Sequence, residues 1–260
     1  MIQLSLSAEG VIARKNRREI IREATLRVTL DGRPFVTLLC LEEYLEELAL
    51  GFLYNEGCID SMDDVMSVVV DDKSTSVHIT LKSGLAKCTN SGESQAPRTV
   101  TSTSAKGLTF INPEKTANFE VIQSAHRVSI TEIWEIARLF SERSLLKKSA
   151  GGVHSALFHH PERSLFCEDI GRHNCIDKIA GMLLTQRGLP LVSESLLFSS
   201  GRVSTEIITK ILRLKTPIYV SLTTPTASTV DMARLYNLTL IGYVRDGQAV
   251  LYSGRERVLF

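Results

Sequence analysis

The sequence predicts an α/β protein with a smaller β-rich part followed by a part in which strands and helices alternate. In the first part, residues 24–30 and 35–41 flank Asp31-Gly32, and this pattern is typical of a β-hairpin. In the second part, short apolar runs are followed by small polar residues and then by apolar residues at helical spacing. Such alternation favours a largely parallel sheet with right-handed crossover helices.

The composition is that of an ordinary globular protein, because 43 % of the 260 residues are hydrophobic and 23 % are charged. The 30 Lys and Arg nearly balance the 29 Asp and Glu, so we do not expect a nucleic acid as partner. No apolar run approaches the roughly 20 residues of a membrane span, and the first ten residues lack the pattern of a secretory signal. We therefore expect a cytoplasmic protein without a membrane partner.

We predict a first domain over residues 1–128, β-rich but with one helix. The helix covers 43–55, where apolar residues recur at helical spacing, and further strands cover 65–70 and 77–81. The segment 42–72 carries ten acidic side chains and no Lys or Arg. This acidic run is either a solvated face or a docking surface for a basic partner.

A long polar segment, 83–109, is rich in Ser, Thr, Gly and Lys and predicts a functional or disordered loop. Cys88 lies in this segment directly after Lys87. A neighbouring cation and backbone donors would make this thiol reactive, and the alternative is an exposed cysteine without a role. No two cysteines form a CxxC pair that would hold zinc or act as a redox dithiol. The remaining cysteines, which we interpret as buried apolar residues, are Cys40, Cys58, Cys167 and Cys175.

We predict a second domain over residues 129–260. Its first helix runs to about residue 146, and Ser129 and Glu132 have the spacing of a capping box at its start. Three strand–turn–helix units follow, and a last strand leads into a hairpin. The predicted strands of this domain are 164–169, 195–198, 218–222, 239–244 and 249–252.

The three strand-to-helix turns are expected to lie together, because ligands of open α/β sheets bind beyond the carboxyl ends of the strands. Helix N-termini at such turns offer free N–H groups and the positive end of the helix dipole, which favour phosphate. Arg172 and Arg202 add charge and bidentate geometry. The hydroxyl donors at the turns are Ser199, Ser200, Thr223 and Thr224. The sequence therefore predicts a site for a phosphorylated ligand such as a nucleotide, with ordinary helix capping as the alternative. No GxxxxGK[ST] phosphate loop is present.

Ionisable residues concentrate at the first of these turns. Glu168 and Asp169 could accept from a ribose or a base edge, and His173 could donate to phosphate or act as an acid or base. The alternative is a local ion pair with a structural histidine. One helical turn further on, Asp177 and Lys178 either pair with each other or face the ligand.

Two glycines, Gly151 and Gly152, precede the strand that begins near His154. Glycine permits a close backbone approach, so these residues are candidates for a ligand contact. His154 would then point to one face of the strand, either as a structural residue or as part of the site.

Four motifs make this sequence resemble the FdhD family of formate dehydrogenase accessory sulfurtransferases. The longest is EDIGRHNCIDK at 168–178, which is close to the family pattern EDxGRHNAxDK. The others are SGRVSTE at 200–206, GGVHSA at 151–156 and EELALGFL at 46–53 followed by Glu56-Gly57, which are similar to SGRxSxE, GGxHxA and DExLAxGFLxxEG. The resemblance covers about residues 23–253.

The resemblance implies a cytidine deaminase-like fold, with a mostly parallel sheet, for the second domain, and it implies a homodimer. It implies a molybdenum bis-guanine-dinucleotide cofactor as ligand, GDP or GTP as its mimics, and no tightly bound metal of the protein's own. It also implies that a cysteine desulfurase supplies sulfur for the cofactor of formate dehydrogenase. The residues expected to bind the cofactor are Gly152, His154, Asp169, Gly171, Arg172, His173, Asn174, Ser200, Gly201, Arg202, Ser204 and Thr223.

The chain departs from the family at the sulfur-carrying motif, CGxCGK. The matching stretch begins at Thr101, so that Thr101 and Ser104 stand where the two cysteines are expected. A hydroxyl cannot carry a persulfide. The chain therefore either uses Cys88 as its catalytic cysteine or is a cofactor-binding chaperone without sulfur transfer.

A third hypothesis, a zinc deaminase-like hydrolase, rests on fold analogy alone. It requires a PCxxC pair and a glutamate two residues after a ligand histidine. The sequence has no PCxxC, and Ala156 stands two residues after His154.

Overall fold

The structure is a computed structural model, and it describes residues 2–7, 10–15, 20–71, 73, 75–82, 98–100 and 119–260. The chain begins with an antiparallel pair, β1 (Ile2–Ser7) and β2 (Gly10–Lys15), which the sequence analysis did not predict. No helix among the described residues is long and apolar enough to cross a membrane.

A five-stranded sheet dominates the first half. Its strands are β3 (Ala24–Leu30), β4 (Arg33–Cys40), β5 (Val65–Asp71), β6 (Ser76–Leu81) and β7 (Arg98–Val100). Their spatial order is β5-β6-β3-β4-β7, with β3–β4 and β5–β6 antiparallel. The predicted hairpin is confirmed, and Asp31 and Gly32 adopt the left-handed φ angles of 50° and 73° that such a tight turn requires.

The strand β7 corrects the prediction of a continuous loop over 83–109. It pairs in parallel with β4, so that Val36, Thr37 and Leu38 lie opposite Arg98, Thr99 and Val100. The rest of that loop, with Cys88, lies outside the described residues.

The helix α1 (Leu45–Asn55) follows the first hairpin, as predicted. The second half contributes the helices α2 (Ile130–Arg143), α3 (Leu145–Ser149), α4 (Arg172–Thr185), α5 (Thr205–Leu214) and α6 (Ala227–Leu235). Its strands are β8 (Val128–Ser129), β9 (His154–His160), β10 (Arg163–Asp169), β11 (Leu196–Ser199), β12 (Ile218–Ser221), β13 (Thr239–Arg245), β14 (Gln248–Ser253) and β15 (Val258–Leu259). The short strands β8 and β15 pair with each other in parallel.

The main sheet of the second half is mixed, and this corrects the prediction of a largely parallel sheet. Its order is β10-β9-β11-β12-β13-β14, and only the β11–β12 and β12–β13 pairs are parallel. The reason is β9, which forms a tight hairpin with β10 and also pairs antiparallel with β11. Because β9 opposes both neighbours, β10 still runs in the same direction as β11, β12 and β13. The cytidine deaminase-like fold stays a prediction.

The predicted helix from 129 to about 146 is interrupted. Its cap is confirmed, because Ser129 Oγ accepts from Glu132 N at 3.0 Å. The helix ends at Arg143, since Ser144 Oγ donates back to Phe140 O at 2.8 Å and a new short helix begins at Leu145.

Two glycines bring α1 and α4 into backbone contact. A Cβ atom built on Gly51 would lie 1.8 Å from Asp177 O, and one built on Gly181 would lie 1.9 Å from Glu47 O. No larger residue fits at these crossings without a shift of one helix. The helix α1 of the first half therefore packs directly against α4.

Two apolar clusters lie on opposite faces of the six-stranded sheet. One joins residues of α4 and α5 to α1 and to the inner face of the five-stranded sheet. The other joins α2, through residues such as Ile133 and Phe140, to the opposite face at Phe198 and Val220. Since the first cluster spans both halves, the predicted division at residue 128 stays a prediction.

Candidate functional site

Four strand ends meet at one edge of the six-stranded sheet. β10, β11 and β12 end there and the antiparallel β9 begins there, so that His154 lies opposite Asp169 and Ala156 opposite Ser199. Ser199 in turn lies opposite Ser221 of β12. The three predicted turns and His154 thus share one edge, which we call the turn edge.

Asp169 ends β10 and is fully buried. Its Oδ1 accepts hydrogen bonds from Gly171 N at 2.9 Å and from Asn174 Nδ2 at 2.7 Å. Its Oδ2 accepts from Leu41 N at 3.0 Å and forms an ion pair with Lys178 Nζ at 2.7 Å. Because both oxygens are engaged by protein donors, Asp169 holds the turn into α4 from the inside. Contact of its carboxylate with a ligand stays a prediction.

Two buried Lys–Asp pairs lie on α4, and neither matches the two alternatives predicted for Asp177 and Lys178. Lys178 pairs with Asp169; burial alone lowers the pKa of this ammonium, but the Asp169 carboxylate raises it above its ordinary value. Asp177 instead accepts from Lys210 Nζ at 2.7 and 2.6 Å and from Asn55 Nδ2 at 2.7 Å. The first pair therefore holds the turn edge, and the second joins α4 to α5 and α1.

His173, on the first turn of α4, faces Glu206 on the first turn of α5. Its Nε2 lies 3.1 Å from Glu206 Oε2, an ion-pair distance without the alignment of a hydrogen bond. Burial lowers the pKa of His173, Glu206 opposes this shift, and Lys210 and Arg172 add to it. Contact with His173 lowers the pKa of the Glu206 carboxyl. The N-termini of α4 and α5 are thus joined by this pair of side chains.

His154 is half-buried at the start of β9. Its Nδ1 lies 3.5 Å from Ser200 Oγ. Burial lowers its pKa, and the nearby positive groups Arg172, Lys147 and His173 lower it further. Positive charge on Arg172 and Lys147 therefore acts on His154, and an anion placed nearby would favour the protonated imidazole.

Hydroxyl groups tie the other two turns together. Ser221 Oγ and Thr223 Oγ1 both donate to Gly201 O, at 2.8 and 2.9 Å. Ser200 Oγ accepts from Ser155 N at 2.9 Å, and Ser200 N donates to Ser155 O at 3.0 Å. These hydroxyls fix the turns by bonds to neighbouring backbone, and the predicted alternative of helix capping is wrong for them because the described helices α4, α5 and α6 have no side-chain cap.

Some donors at the turn edge have no partner among the residues that the structure describes. Arg172 Nε and Ser204 Oγ are both buried without a hydrogen bond there. Ser204 precedes α5 yet makes no side-chain cap. Arg172 packs against Gly201, where an added Cβ would lie 2.8 Å from Arg172 Cβ. A guanidinium and a hydroxyl without protein acceptors next to two helix N-termini suit an anionic ligand.

The remaining predicted residues occupy different positions at this edge. Asn174 donates inward, to Asp169 and to Leu39 O at 2.8 Å. Arg202 is exposed to solvent. Gly152 has a left-handed φ of 69°, and a Cβ on it would meet only Ile21 Cδ1, at 3.7 Å. This glycine serves a backbone conformation, and its predicted contact with a ligand stays a prediction.

Comparison with known proteins decides the family. Residues 21–259 match the model of the FdhD/NarQ family. The chain belongs to the FdhD/NarQ family.

Relatives in this family are similar over nearly their whole length. The sulfur carrier protein FdhD of Halalkalibacterium halodurans is 31 % identical over 260 residues, covering 98 % of this chain and 93 % of the relative. The sulfur carrier protein FdhD of Bacillus subtilis is 31 % identical over 251 residues, covering 96 % and 94 %. A crystal structure from Desulfotalea psychrophila, assigned provisionally as a formate dehydrogenase accessory protein, has a TM-score of 0.77 at 21 % identity. It covers 100 % of this chain and 98 % of its own, and it supports the fold.

Within this FdhD/NarQ chain, the described free cysteines are poor nucleophiles. Cys40, Cys167 and Cys175 are all buried. Cys58 is buried too but is disulfide-bonded, which corrects its interpretation as a simple buried apolar residue. Burial raises the pKa of Cys40 to about 12 and raises that of Cys175 as well, so neither thiol ionises near neutral pH. Cys88, Thr101 and Ser104 lie outside the described residues. The described residues also contain no group of three His, Cys, Asp or Glu arranged to hold a metal ion.

Two residues of α5 were missed by the sequence analysis, one at the turn edge and one a helical turn beyond it. Glu206 is the last residue of the SGRVSTE motif, so the motif itself could have pointed to it. Lys210 lies four residues later, on the same face of α5. Its partner Asp177 is 33 residues away in sequence, and local spacing gave no signal for that pair.

Proposed function

We propose that this FdhD/NarQ protein is an accessory protein of formate dehydrogenase maturation that binds a molybdenum bis-guanine-dinucleotide cofactor at the turn edge. The cofactor is cargo here and not a resident group. The observation that carries the proposal is the pair of buried donors, Arg172 Nε and Ser204 Oγ, that have no acceptor among the described residues. The names of the relatives, sulfur carrier protein and formate dehydrogenase accessory protein, support the same role.

The chemistry of the edge suits the diphosphate of a nucleotide. Arg172 supplies a cation with several donors, and the N-termini of α4 and α5 supply backbone N–H groups and positive dipole ends. His173 and His154 are held largely neutral by burial and by cations, and both gain a favourable partner if a phosphate arrives. The site needs no Walker-type loop for this purpose.

For sulfur transfer, we propose that Cys88, as a reduced free thiol, is the carrier. Its thiolate would attack the outer sulfur of a persulfide on a cysteine desulfurase; that S–S bond breaks, a new S–S bond forms on Cys88, and the desulfurase thiolate leaves. The resulting Cys88 persulfide is the sulfur donor that the accessory role requires. Thr101 and Ser104, at the positions of the family pair, have no sulfur to serve this step.

A second candidate is a cofactor-binding chaperone without sulfur chemistry. It is favoured by the missing CxxC pair together with the burial of the three described free cysteines. The two candidates share the turn edge and differ only in the sulfur step.

Calorimetry with GDP on the full-length protein tests the shared site. We expect GDP to bind, and we expect Arg172→Ala to weaken binding by about 1–3 kcal/mol, the range for lost charge-assisted hydrogen bonds. The matched control is Arg138→Ala, because Arg138 is an exposed arginine on α2 that pairs with Glu142 in its own helix. Equal affinity of both variants would remove Arg172 from the site, and no binding of GDP or GTP by the wild type would remove the site itself.

Mass spectrometry after incubation with a cysteine desulfurase and cysteine tests the sulfur step. A persulfide on Cys88 that disappears in Cys88→Ser supports the sulfur carrier. GDP binding without a persulfide on any cysteine supports the chaperone.

The homodimer is also a proposal, and sedimentation equilibrium of the purified chain at micromolar concentration tests it. A mass of twice the 28.8 kDa of one chain is the expected result.

A further inference from the structure

Three buried side chains of the second half form hydrogen bonds with the backbone at the end of β4. Asn174 Nδ2 donates to Leu39 O at 2.8 Å. Asp169 Oδ2 accepts from Leu41 N at 3.0 Å, and Lys178 Nζ donates to Leu41 O at 3.4 Å. We call these three residues the clamp. They bind donors and acceptors on both sides of Cys40, more than 120 residues away in the chain.

The clamp also holds the turn edge. The Asp169 carboxylate that binds Leu41 through Oδ2 accepts from Gly171 N through Oδ1, at 2.9 Å. Gly171 directly precedes Arg172, and Asn174 bonds the same Oδ1. A single buried carboxylate therefore fixes the first turn of α4 and the end of β4 at once.

The end of β4 is close to where the chain enters the segment that contains Thr101 and Ser104. β7 runs parallel to β4, and its last residue, Val100, lies opposite Leu38. Leu39, the next residue of β4, is the one that Asn174 binds. After β7, the chain continues to Thr101 and Ser104, the positions of the family's sulfur motif. It does so from the end of the sheet that the clamp binds.

We propose that Asp169, Asn174 and Lys178 are positioning residues that couple ligand binding at the turn edge to the end of β4. The inference rests on the proposed function, because it assumes a nucleotide at the turn edge. Directional bonds to one carboxylate transmit the coupling, since any shift of the α4 turn moves the acceptor of Leu41 N. By linkage, a ligand that orders the turn also orders the end of β4, and a change that loosens the end of β4 weakens binding of the ligand.

The second Lys–Asp pair of α4 provides a matched control. Asp177 and Lys210 are as buried as the clamp and pair at similar distances. They bind α5 and, through Asn55, α1, and the structure gives them no bond to β4. Loss of this pair perturbs α4 without cutting the link between the turn edge and Leu41.

Hydrogen exchange of the full-length protein with and without GDP tests the coupling. In the wild type, we expect GDP to slow exchange in a peptide over 40–44 by about fivefold or more, the lower end of typical coupling energies. A peptide over β13 serves as the reference, because stabilisation of the whole fold would slow exchange there too.

In Lys178→Met, we expect this additional protection at 40–44 to disappear and GDP affinity to fall by about fivefold. In Lys210→Met, we expect the GDP-dependent protection at 40–44 to persist.

The wild-type experiment is decisive by itself if a variant fails to fold. GDP binding that protects 40–44 no more than β13 overturns the coupling and leaves the proposed function intact. Absence of GDP binding overturns the proposed function instead. If Lys178→Met does not fold, Asn174→Ala replaces it, since this change removes only the bonds to Leu39 and to Asp169 Oδ1 and leaves the ion pair. Persisting protection at 40–44 in Asn174→Ala would likewise contradict the role of the clamp.

Discussion

The turn after β10 and the turns after β11 and β12 occupy the same edge but are built differently. The first is held by buried charges, with Asp169 and Lys178 fully enclosed and bonded to the distant backbone at Leu41. The other two are held by hydroxyls such as those of Ser221 and Thr223, which donate to the carbonyl of a neighbouring turn. Charges thus organise the edge over long range, and hydroxyls organise it locally.

This difference has an energetic consequence. A buried charge whose partner is removed stays desolvated and uncompensated, which costs several kcal/mol. A neutral hydroxyl that is removed leaves one carbonyl short of one hydrogen bond, which costs about 1 kcal/mol. The charged turn should therefore be sensitive to single substitutions, and the hydroxyl turns should tolerate them.

The largest expected effect is that of Lys178→Met. We expect the free energy of unfolding to fall by about 3–5 kcal/mol, because Asp169 would stay buried without its counter-ion. Urea denaturation followed by circular dichroism measures this change. The double change Asp169→Asn with Lys178→Met should recover part of the loss, since no buried charge is left unpaired. If the free energy of unfolding of Lys178→Met lies within about 1 kcal/mol of the wild-type value, the Asp169–Lys178 pair does not organise the turn edge.

Acid should destabilise the protein through its buried histidines. Burial lowers the pKa values of His126, His154, His159 and His173 below the ordinary value of 6.5. The unfolded chain then binds more protons than the folded one, so stability is full above the unfolded pKa and falls as the pH drops below about 6.5. Each histidine contributes a slope of at most about 1.4 kcal/mol per pH unit.

Urea midpoints at pH 7.5, 6.5 and 5.5 test this dependence. The variant His159→Asn should show a smaller slope than the wild type, whereas His78→Asn should match the wild type because His78 is exposed. Equal slopes for the wild type and His159→Asn would exclude His159 as a source.

The sequence predicted the turn edge but not what holds it. Strand and helix periods placed the turns near Gly171, Ser200 and Thr223, and the rule for strand ends put them together correctly. The strand near His154 was predicted, but its antiparallel pairing with β10 and β11 was not, because a hairpin of mostly apolar residues has the same local pattern as two strands of a parallel sheet. The bond from Asp169 to Leu41 escaped because it spans 128 residues, and local spacing contains no information about such contacts.

The hydroxyl side of the comparison predicts a modest effect for Ser221→Ala. This change removes the donor to Gly201 O and the acceptor of Thr223 N, and we expect a loss of about 1 kcal/mol in unfolding free energy. Ser228→Ala is the control, because Ser228 is exposed and its hydroxyl lies within hydrogen-bond distance of Thr226 Oγ1, also exposed. A loss above 3 kcal/mol would show that the hydroxyl turn is as critical as the charged one, and the distinction between the turns would fail.

The smallest expected effect is a change of nucleotide affinity with pH. It tests which side chains of the two kinds of turn can respond to a bound phosphate. The hydroxyls are mostly occupied, so the groups that can respond to a phosphate are Arg172, which stays charged, and His154 and His173, whose pKa values are lowered by burial. An arriving phosphate favours the protonated imidazoles, binding therefore takes up protons, and affinity should rise as the pH falls from 8 to 6.5. We expect an increase of about threefold, below the tenfold per pH unit that uptake of one full proton gives.

Because GDP itself titrates in this range, the double variant His154→Asn and His173→Asn separates the two contributions. Calorimetry should show a flatter pH dependence for the double variant, and an unchanged dependence would mean that the histidines do not face the ligand and that the charged turn acts through Arg172 alone.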